Sequence, residues 1–334
     1  MNIAIFGAGS IGCYLGGQLA HAGAVVTFIG RQRFKSEIEK HGLTLTHYER
    51  DEINLMADQI IFSLDPRDIA PADIILLTTK SQDTAEAAKA IKAHAKNDAI
   101  IISFQNGVSN PSVLRERLSQ PILGAVVPFN VTGTGPGRFH CGTEGDLTVQ
   151  SMDDLRLRVL QGLFKETGQG LIISENILAV QWGKLLVNLN NAFNTLTGGT
   201  LREGLLQRDY RRALTLVVEE GLSVARGAGI EPAAFGKVDA AKMIKILRLP
   251  NFIYKIIMNK IVKIDAAARS SMLDDLEMGR VSEIDYLQGE IVRVAYKTGQ
   301  AAPYNKIIYG LVNEAFSNGK SPKISGKDIY NRLK

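Results

Sequence analysis

The stretch Asn2-Ile3-Ala4-Ile5-Phe6-Gly7-Ala8-Gly9-Ser10-Ile11-Gly12 decides the fold. Its first five residues form an apolar run that reads as a strand, and Tyr14 to Ala20 read as a helix. Between them stand Gly7, Gly9 and Gly12 in G-x-G-x-x-G spacing. Strand, glycine loop and helix in that order are the context in which this spacing binds a dinucleotide. Gly7 permits the tight turn, Gly9 lets backbone approach a pyrophosphate, and Gly12 lets helix and strand pack closely. Unpaired N–H groups and the helix dipole favour negative charge at the helix start. Gly7, Ala8, Gly9, Ser10, Ile11 and Gly12 are therefore the candidate cofactor loop.

Working outward, residues 24–29 form a second strand that ends at Gly30-Arg31-Gln32-Arg33. A fold specific for NAD carries a carboxylate here for the ribose 2′-hydroxyl. This chain has arginines instead, and a guanidinium suits a 2′-phosphate, so the sequence points to NADP with Arg31 as the contact; the plainer reading is a solvated basic loop. Residues 42–64 look like short strands joined by a polar connection. Asp73 to Thr79 is a continuous apolar strand, as expected for a parallel sheet covered on both faces, and it delivers Lys80. A helix over 85–95 leads to the strand 99–104 and to Gln105-Asn106-Gly107. Ligands of open α/β sheets bind outside the carboxyl ends of strands, which aims Lys80 and Asn106 at the cofactor crevice. Strands over 122–130 and 146–150, with a turn at 132–137 between them, a helix over 154–167 and a strand at 171–173 complete a domain spanning 1–176.

From residue 177 to 334 the pattern is helical. Trp182, Leu185, Leu186 and Leu189 recur at helical spacing, while Lys184, Asn188 and Asn191 share another face of the same predicted helix. One ammonium and two amides in a row differ from an ordinary exposed face, which mixes both charges. Residues 214–225 read as a long apolar helix. Lys237 to Lys263 alternates lysines with apolar residues around Pro250; it reads as a surface helical hairpin, with contact to a membrane surface as the other reading. The carboxylates between Asp274 and Asp285 read as a solvated helix face, and Ile307 to Val312 belong to a last helix.

The composition of the 334 residues, 45% hydrophobic and 22% charged, is that of a globular protein of two domains. A net charge of +5 is modest and scattered, and suits small anionic ligands at least as well as nucleic acid, for which no motif is present. Two distant cysteines and five unclustered histidines give no metal-binding pattern. No apolar run is long enough to span a bilayer and Met1 leads straight into a strand, so a cytoplasmic protein without a signal peptide is expected.

Four blocks together resemble the ketopantoate reductase (2-dehydropantoate 2-reductase) family: residues 5–12; Thr79-Lys80 with Gln105-Asn106-Gly107; Trp182-Gly183-Lys184-Leu185-Leu186-Val187-Asn188; and Ser270-Ser271-Met272 through Ser282-Glu283-Ile284-Asp285-Tyr286. Pro303-Tyr304-Asn305 resembles the family's closing motif. The resemblance implies a Rossmann-type NADP-binding domain followed by an all-α domain like the C-terminal one of 6-phosphogluconate dehydrogenase. It implies reduction of 2-dehydropantoate to (R)-pantoate with NADPH, on the route to coenzyme A, by a monomer or homodimer. Carried over by position, Lys184 is the general acid and Glu283 holds substrate hydroxyl groups. Asn106, Asn188 and Ser271 anchor the substrate, Arg31 takes the 2′-phosphate, and Lys80 and Asn106 adjoin the nicotinamide. Where the family's K-x-x-x-N-x-x-x-N pattern has its second asparagine this chain has Ala192; Asn191 and Asn194 are the nearby candidates for that role, beside Asn190. The alternatives within this reading are reduction of another 2-oxo acid or oxidation of a 3-hydroxy acid. A non-enzymatic NADP-binding sensor or interaction protein would instead leave Lys184 and Glu283 failing to converge on the nicotinamide, and would bind NADPH without turnover.

Overall fold

In the computed structural model, residues 1–236, 239–261 and 268–334 are described. The chain divides into two compact units, Met1–Ile177 and Leu178–Lys334.

The first unit contains twelve strands: β1 (Asn2–Phe6), β2 (Val25–Ile29), β3 (Leu43–His47), β4 (Ile53–Leu55), β5 (Ile61–Ser63), β6 (Ile74–Leu77), β7 (Ile100–Ser103), β8 (Ile122–Val126), β9 (Val131–Gly135), β10 (Arg138–Cys141), β11 (Leu147–Gln150) and β12 (Leu171–Ser174). Five α-helices accompany them: α1 (Ser10–His21), α2 (Gln32–His41), α3 (Thr84–His94), α4 (Asn110–Arg115) and α5 (Leu155–Glu166). The main sheet runs β12-β11-β8-β7-β6-β1-β2-β5, and its pairings are parallel except that of β11 with β8. From β5 to β8 this is the doubly wound dinucleotide-binding order, whose direction reverses between β1 and β6.

The continuous apolar runs are explained by two covered faces. Ile3 and Ile5 of β1, Ile74 and Leu76 of β6, and Ile100 and Ile102 of β7 pack with α1 and α5. The alternate residues Ala4, Ile75, Leu77 and Ile101 pack with α3 and α4. A second sheet, β4-β3-β10-β9, packs on the other side of α1, which is buried without interruption from Gly12 to Leu19. A Cβ on Gly16 would lie 2.4 Å from the Phe28 ring, and one on Gly17 would lie 2.8 Å from Leu43 and Leu45. Residues 132–137, read from the sequence as a turn, mostly belong to strand β9, an exposed edge strand held antiparallel to β10. The stretch after Arg31, for which a solvated basic loop was the plainer alternative, is helix α2.

The described residues of the second unit are mostly helical: α6 (Ile177–Asn188), α7 (Asn190–Thr197), α8 (Leu201–Leu206), α9 (Arg208–Gly227), α10 (Ala240–Leu247), α11 (Asn251–Ile261), α12 (Ser271–Glu277), α13 (Gln288–Lys297), α14 (Pro303–Ser317) and α15 (Gly326–Leu333). α9 packs against α7, α8, α10, α13, α14 and α15. The closing motif locks α14 onto it: Glu220 of α9 accepts the backbone N–H groups of Tyr304 (2.9 Å) and Asn305 (2.7 Å). A carboxylate at a helix N-terminus is also favoured by the helix dipole.

The expected basic hairpin corresponds to α10 and α11, joined through Pro250; Lys237 and residues 262–263 lie outside the described residues. One fully buried guanidinium anchors the pair. Arg211 of α9 donates to the carbonyls of Leu205 (2.9 Å), Leu247 (3.1 Å) and Leu249 (3.0 Å) and to Asn251 Oδ1 (2.8 Å), and lies 4.0 Å over the Tyr254 ring. Replacing it strands buried acceptors, which is dearer than losing the bonds themselves. Arg211→Leu is therefore expected to destabilise the second unit by about 3 kcal/mol or more, read as a lower midpoint in urea unfolding.

Candidate active site

The glycine loop is pinned before α1 begins. Gly7 and Ala8 both donate to the Ile29 carbonyl at the end of β2 (2.9 and 2.8 Å). Gly7 sits at φ +105, and a Cβ there would lie 2.6 Å from the Thr79 amide nitrogen; one on Gly12 would lie 2.7 Å from the Gly7 carbonyl oxygen and from Thr78 Oγ1. Gly9 is different. A Cβ there would meet nothing closer than 3.9 Å, so space within the protein does not require glycine at that position, whereas a ligand resting on the loop would. The first amide to bond back into α1 is that of Cys13, to the Gly9 carbonyl (2.8 Å), which leaves the amides of the first turn for an anion. This donor set fits a dinucleotide pyrophosphate.

Arg31 follows at once. It is exposed at the N-cap of α2 with no side-chain capping bond, whereas Arg33 is paired with Glu37 at 2.9 Å. Gly30 brings the end of β2 against the loop, since a Cβ there would lie 2.9 Å from that of Ala8. Lys80 follows β6 and Asn106 follows β7, both half-buried. Arg31, Lys80, Asn106 and the loop from Gly7 to Gly12 thus all stand at the carboxyl ends of adjacent strands around the reversal of strand order.

In the second unit, Lys184 stands in the last two turns of α6. The preceding Gly183 has a clear packing reason: the Ala233 carbonyl would lie 2.2 Å from a Cβ there, and Ala233 N–H bonds to the Ala179 carbonyl (2.9 Å). The chain at Ala233 therefore crosses the helix directly beside the lysine. Burial pushes the Lys184 ammonium down to about 8, against the opposing pull of the Glu283 carboxylate. Glu283 is 7% exposed and precedes the single turn Ile284–Tyr286. Glu283 is therefore near enough for its charge to act on Lys184. The structure corrects the solvated-face reading of 274–285, because Asp275 and Glu283 are both buried and Glu283 is not on an α-helix.

The single helix expected to carry Lys184, Asn188 and Asn191 is two. α6 ends at Asn188 and α7 starts at Asn190. The buried amide of Gln288 donates to the Leu189 carbonyl (2.9 Å) and so satisfies that group at the break. Asn188 and Asn191 remain half-buried. Asn194 is fully buried: its Nδ2 donates to the Gly199 carbonyl (2.8 Å) and its Oδ1 accepts from Ser270 N–H (2.9 Å). Asn190 Oδ1 accepts from the Tyr210 hydroxyl (2.7 Å). Of the three asparagines near Ala192, Asn190 and Asn194 are thus engaged with the protein. Ser271 is exposed at the start of α12, while Ser270 caps that helix by accepting from Leu273 N–H (3.2 Å) and donates to the Asn191 carbonyl (3.3 Å). Gln288 and Ser270 are the residues the sequence reading passed over; the double serine was visible, but its division of labour was not. Among the described residues no group of three or more His, Cys, Asp or Glu could hold a metal, and no helix is long and apolar enough to cross a membrane.

Comparison with known proteins gives consistent matches along the chain. The family described as ketopantoate reductase PanE/ApbA matches residues 3–154, and its C-terminal counterpart matches residues 176–315. The chain is 29% identical to the 2-dehydropantoate 2-reductase of Pyrococcus horikoshii, over 97% of this chain and 100% of that one. It is 25% identical to that of Halobacterium salinarum, over 96% and 100%. Among solved structures, a PanE/ApbA family ketopantoate reductase from Ralstonia eutropha superposes with a TM-score of 0.82 at 30% identity, covering 96% of this chain and 99% of that one. A D-mandelate dehydrogenase solved with NADH and anilino(oxo)acetate shares the fold, with a TM-score of 0.79 at 23% identity over 96% and 99%.

The asparagines separate experimentally. Asn194→Ala leaves Ser270 N–H and the Gly199 carbonyl without their partner and is expected to cost about 2 kcal/mol of stability. Asn191→Ala, at a half-exposed position, should leave the unfolding midpoint within about 0.5 kcal/mol of the parent.

Proposed function

Because the chain belongs to the ketopantoate reductase family, we propose that it reduces 2-dehydropantoate to (R)-pantoate with NADPH. The observation that carries this reading is the Lys184–Glu283 pair: an ammonium whose desolvation brings its proton within reach of neutral pH, supported by a buried carboxylate. A general acid works best with a pKa near the working pH, and Lys184 meets that condition where an ordinary lysine does not.

The glycine loop would hold the cofactor's pyrophosphate, with Lys80 and Asn106 beside its nicotinamide, and the bound cofactor would supply the hydride for the C2 carbonyl carbon. As negative charge grows on the carbonyl oxygen, the Lys184 ammonium stabilises it and then delivers its proton there. Glu283 accepts hydrogen bonds from the substrate's hydroxyl group and keeps Lys184 charged. Asn188, Asn191 and Asn106 offer neutral hydrogen bonds to the acid, and Lys80 offers charge to its carboxylate or to the cofactor. For Ser271, exposure at the start of α12 leaves its hydroxyl available to substrate, whereas Asn194 acts by holding the Ser270 backbone. A second reading, reduction of a different 2-oxo acid, draws support from Ala192, fully buried where the family pattern has an amide. NADPH oxidation measured with 2-dehydropantoate beside a panel of 2-oxo acids decides between the two, and absence of turnover with all of them would overturn both.

The direction of the Lys184 shift gives a pH signature. Reduction needs the protonated ammonium, so turnover should fall as pH rises through about 8, well below the 10.5 of an ordinary lysine. Lys184→Ala should lose roughly 10²- to 10⁴-fold in kcat and lack that limb. Glu283 raises the Lys184 pKa; Glu283→Gln should therefore move the limb to lower pH. An unmoved limb would separate Glu283 from the proton donor.

Cofactor choice is read from Arg31. A charge-assisted hydrogen bond to a 2′-phosphate is worth enough that Arg31→Ala should weaken NADPH roughly 10- to 100-fold and NADH far less. Equal losses would show that Arg31 does not meet the 2′-phosphate.

A further inference from the structure

Below the carboxyl ends of β6 and β7 lies a cluster of five polar side chains, those of Ser81, Thr84, Ser103, Gln105 and Asn110, each 6% exposed or less. Polar groups so deeply buried are costly unless bonded, and here they bond to one another and to backbone. Ser103 Oγ donates to Gln105 Oε1 (2.9 Å), and Gln105 Nε2 donates to Thr84 Oγ1 (2.8 Å) and to the Thr79 carbonyl (3.2 Å). The Thr84 hydroxyl shares its proton between the Ser81 carbonyl (2.8 Å) and Asn110 Oδ1 (2.9 Å). Asn110 Nδ2 donates to Ser81 Oγ (3.1 Å) and to the Asn106 carbonyl (2.6 Å), which Ser81 Oγ also reaches at 2.9 Å.

The bonds converge on two short pieces of backbone. One is Thr79 to Ser81, around Lys80; the other is Asn106, after which Gly107 turns the chain away at φ +85. Both pieces carry side chains assigned above to the cofactor, and both are gripped from beneath by groups that do not reach the surface. A binding group on a loose loop must be ordered when ligand arrives, and that cost comes out of the affinity. On a loop already fixed, little ordering is left.

We infer that Thr84, Gln105 and Asn110 are positioning residues that hold the backbone of Lys80 and Asn106 in the arrangement that binds the nicotinamide cofactor. The inference rests on the roles given to Lys80 and Asn106 under the proposed function. None of the three touches the cofactor in this scheme. They act through the two residues that do.

Thr84 offers the cleanest test, because valine keeps its shape and removes the hydroxyl while serine keeps the hydroxyl. NADPH is titrated by nicotinamide fluorescence into purified full-length protein, without substrate, beside thermal unfolding of the same samples. Thr84→Val is expected to weaken NADPH by roughly 5- to 30-fold, and Thr84→Ser to remain within about twofold of the parent. In a Lys80→Met/Asn106→Ala background the Thr84→Val penalty should shrink to about twofold or less, since coupled positions are not additive. A penalty undiminished in that background, or a lower Tm with unchanged NADPH affinity, overturns the inference and leaves the roles of Lys80 and Asn106 standing. An affinity that the Lys80→Met/Asn106→Ala pair itself leaves unchanged overturns those roles and the inference with them. Should Thr84→Val fail to fold, Gln105→Glu, which keeps the side-chain shape and removes the amide donor, carries the same titration and the same criteria.

Discussion

Close approach at α1 is the constraint on which the N-terminal unit depends. The helix lies between two sheets and is buried from Gly12 to Leu19, so no bulky side chain is tolerated where it meets Ile5, Phe28, Leu43 and Leu45. The glycines thus do two things in one stretch. Gly12, Gly16 and Gly17 let the layers close, while Gly7 and Gly9 shape the loop at the helix start. Because the layers close, the start of α1 is held against the ends of β1, β2 and β6, and the amides of its first turn take up a defined position. Packing and the placement of those amides share a single cause.

The parts of this architecture that were legible in the sequence are those specified locally. β1, α1, β2, β6 and β7 announce themselves by apolar runs and glycine spacing, and the two-faced burial of Ile74 to Leu77 matches the continuous run that predicted it. The second sheet was only half visible. Its β3 pairs in parallel with β10, some ninety residues later, with His47 opposite Cys141, and nothing within either segment records that partner. β9 was hidden for a related reason: its Thr-Gly composition is that of a turn, and antiparallel pairing with β10 makes it a strand.

The candidate site shows the same division. Lys184 and Glu283 were singled out by the motifs that flank them, and in the structure the Glu283 charge acts on Lys184. Helical spacing could place Asn191 in line with Lys184, but it could not foresee that Gln288, a hundred residues on, satisfies the Leu189 carbonyl where the helix breaks. Carboxylates near Glu283 looked solvated because spacing alone does not say which side of a short turn faces the core. Asn194 looked like a ligand-binding amide by its neighbourhood, whereas its two hydrogen bonds to Gly199 and Ser270 are short- and long-range backbone contacts, respectively, that composition does not encode.

The break at Leu189 divides the work of the second unit. Before it, α6 carries the ammonium and Asn188; after it, α7 carries Asn191 and the buried Ala192. The Gln288 amide ties the Leu189 carbonyl to α13 at the interruption, and the two helices need not share an axis. Side chains in α7 can then be exchanged without rotating the segment that carries Lys184. A substitution that shifts one helix is then not transmitted along a continuous rod to the other.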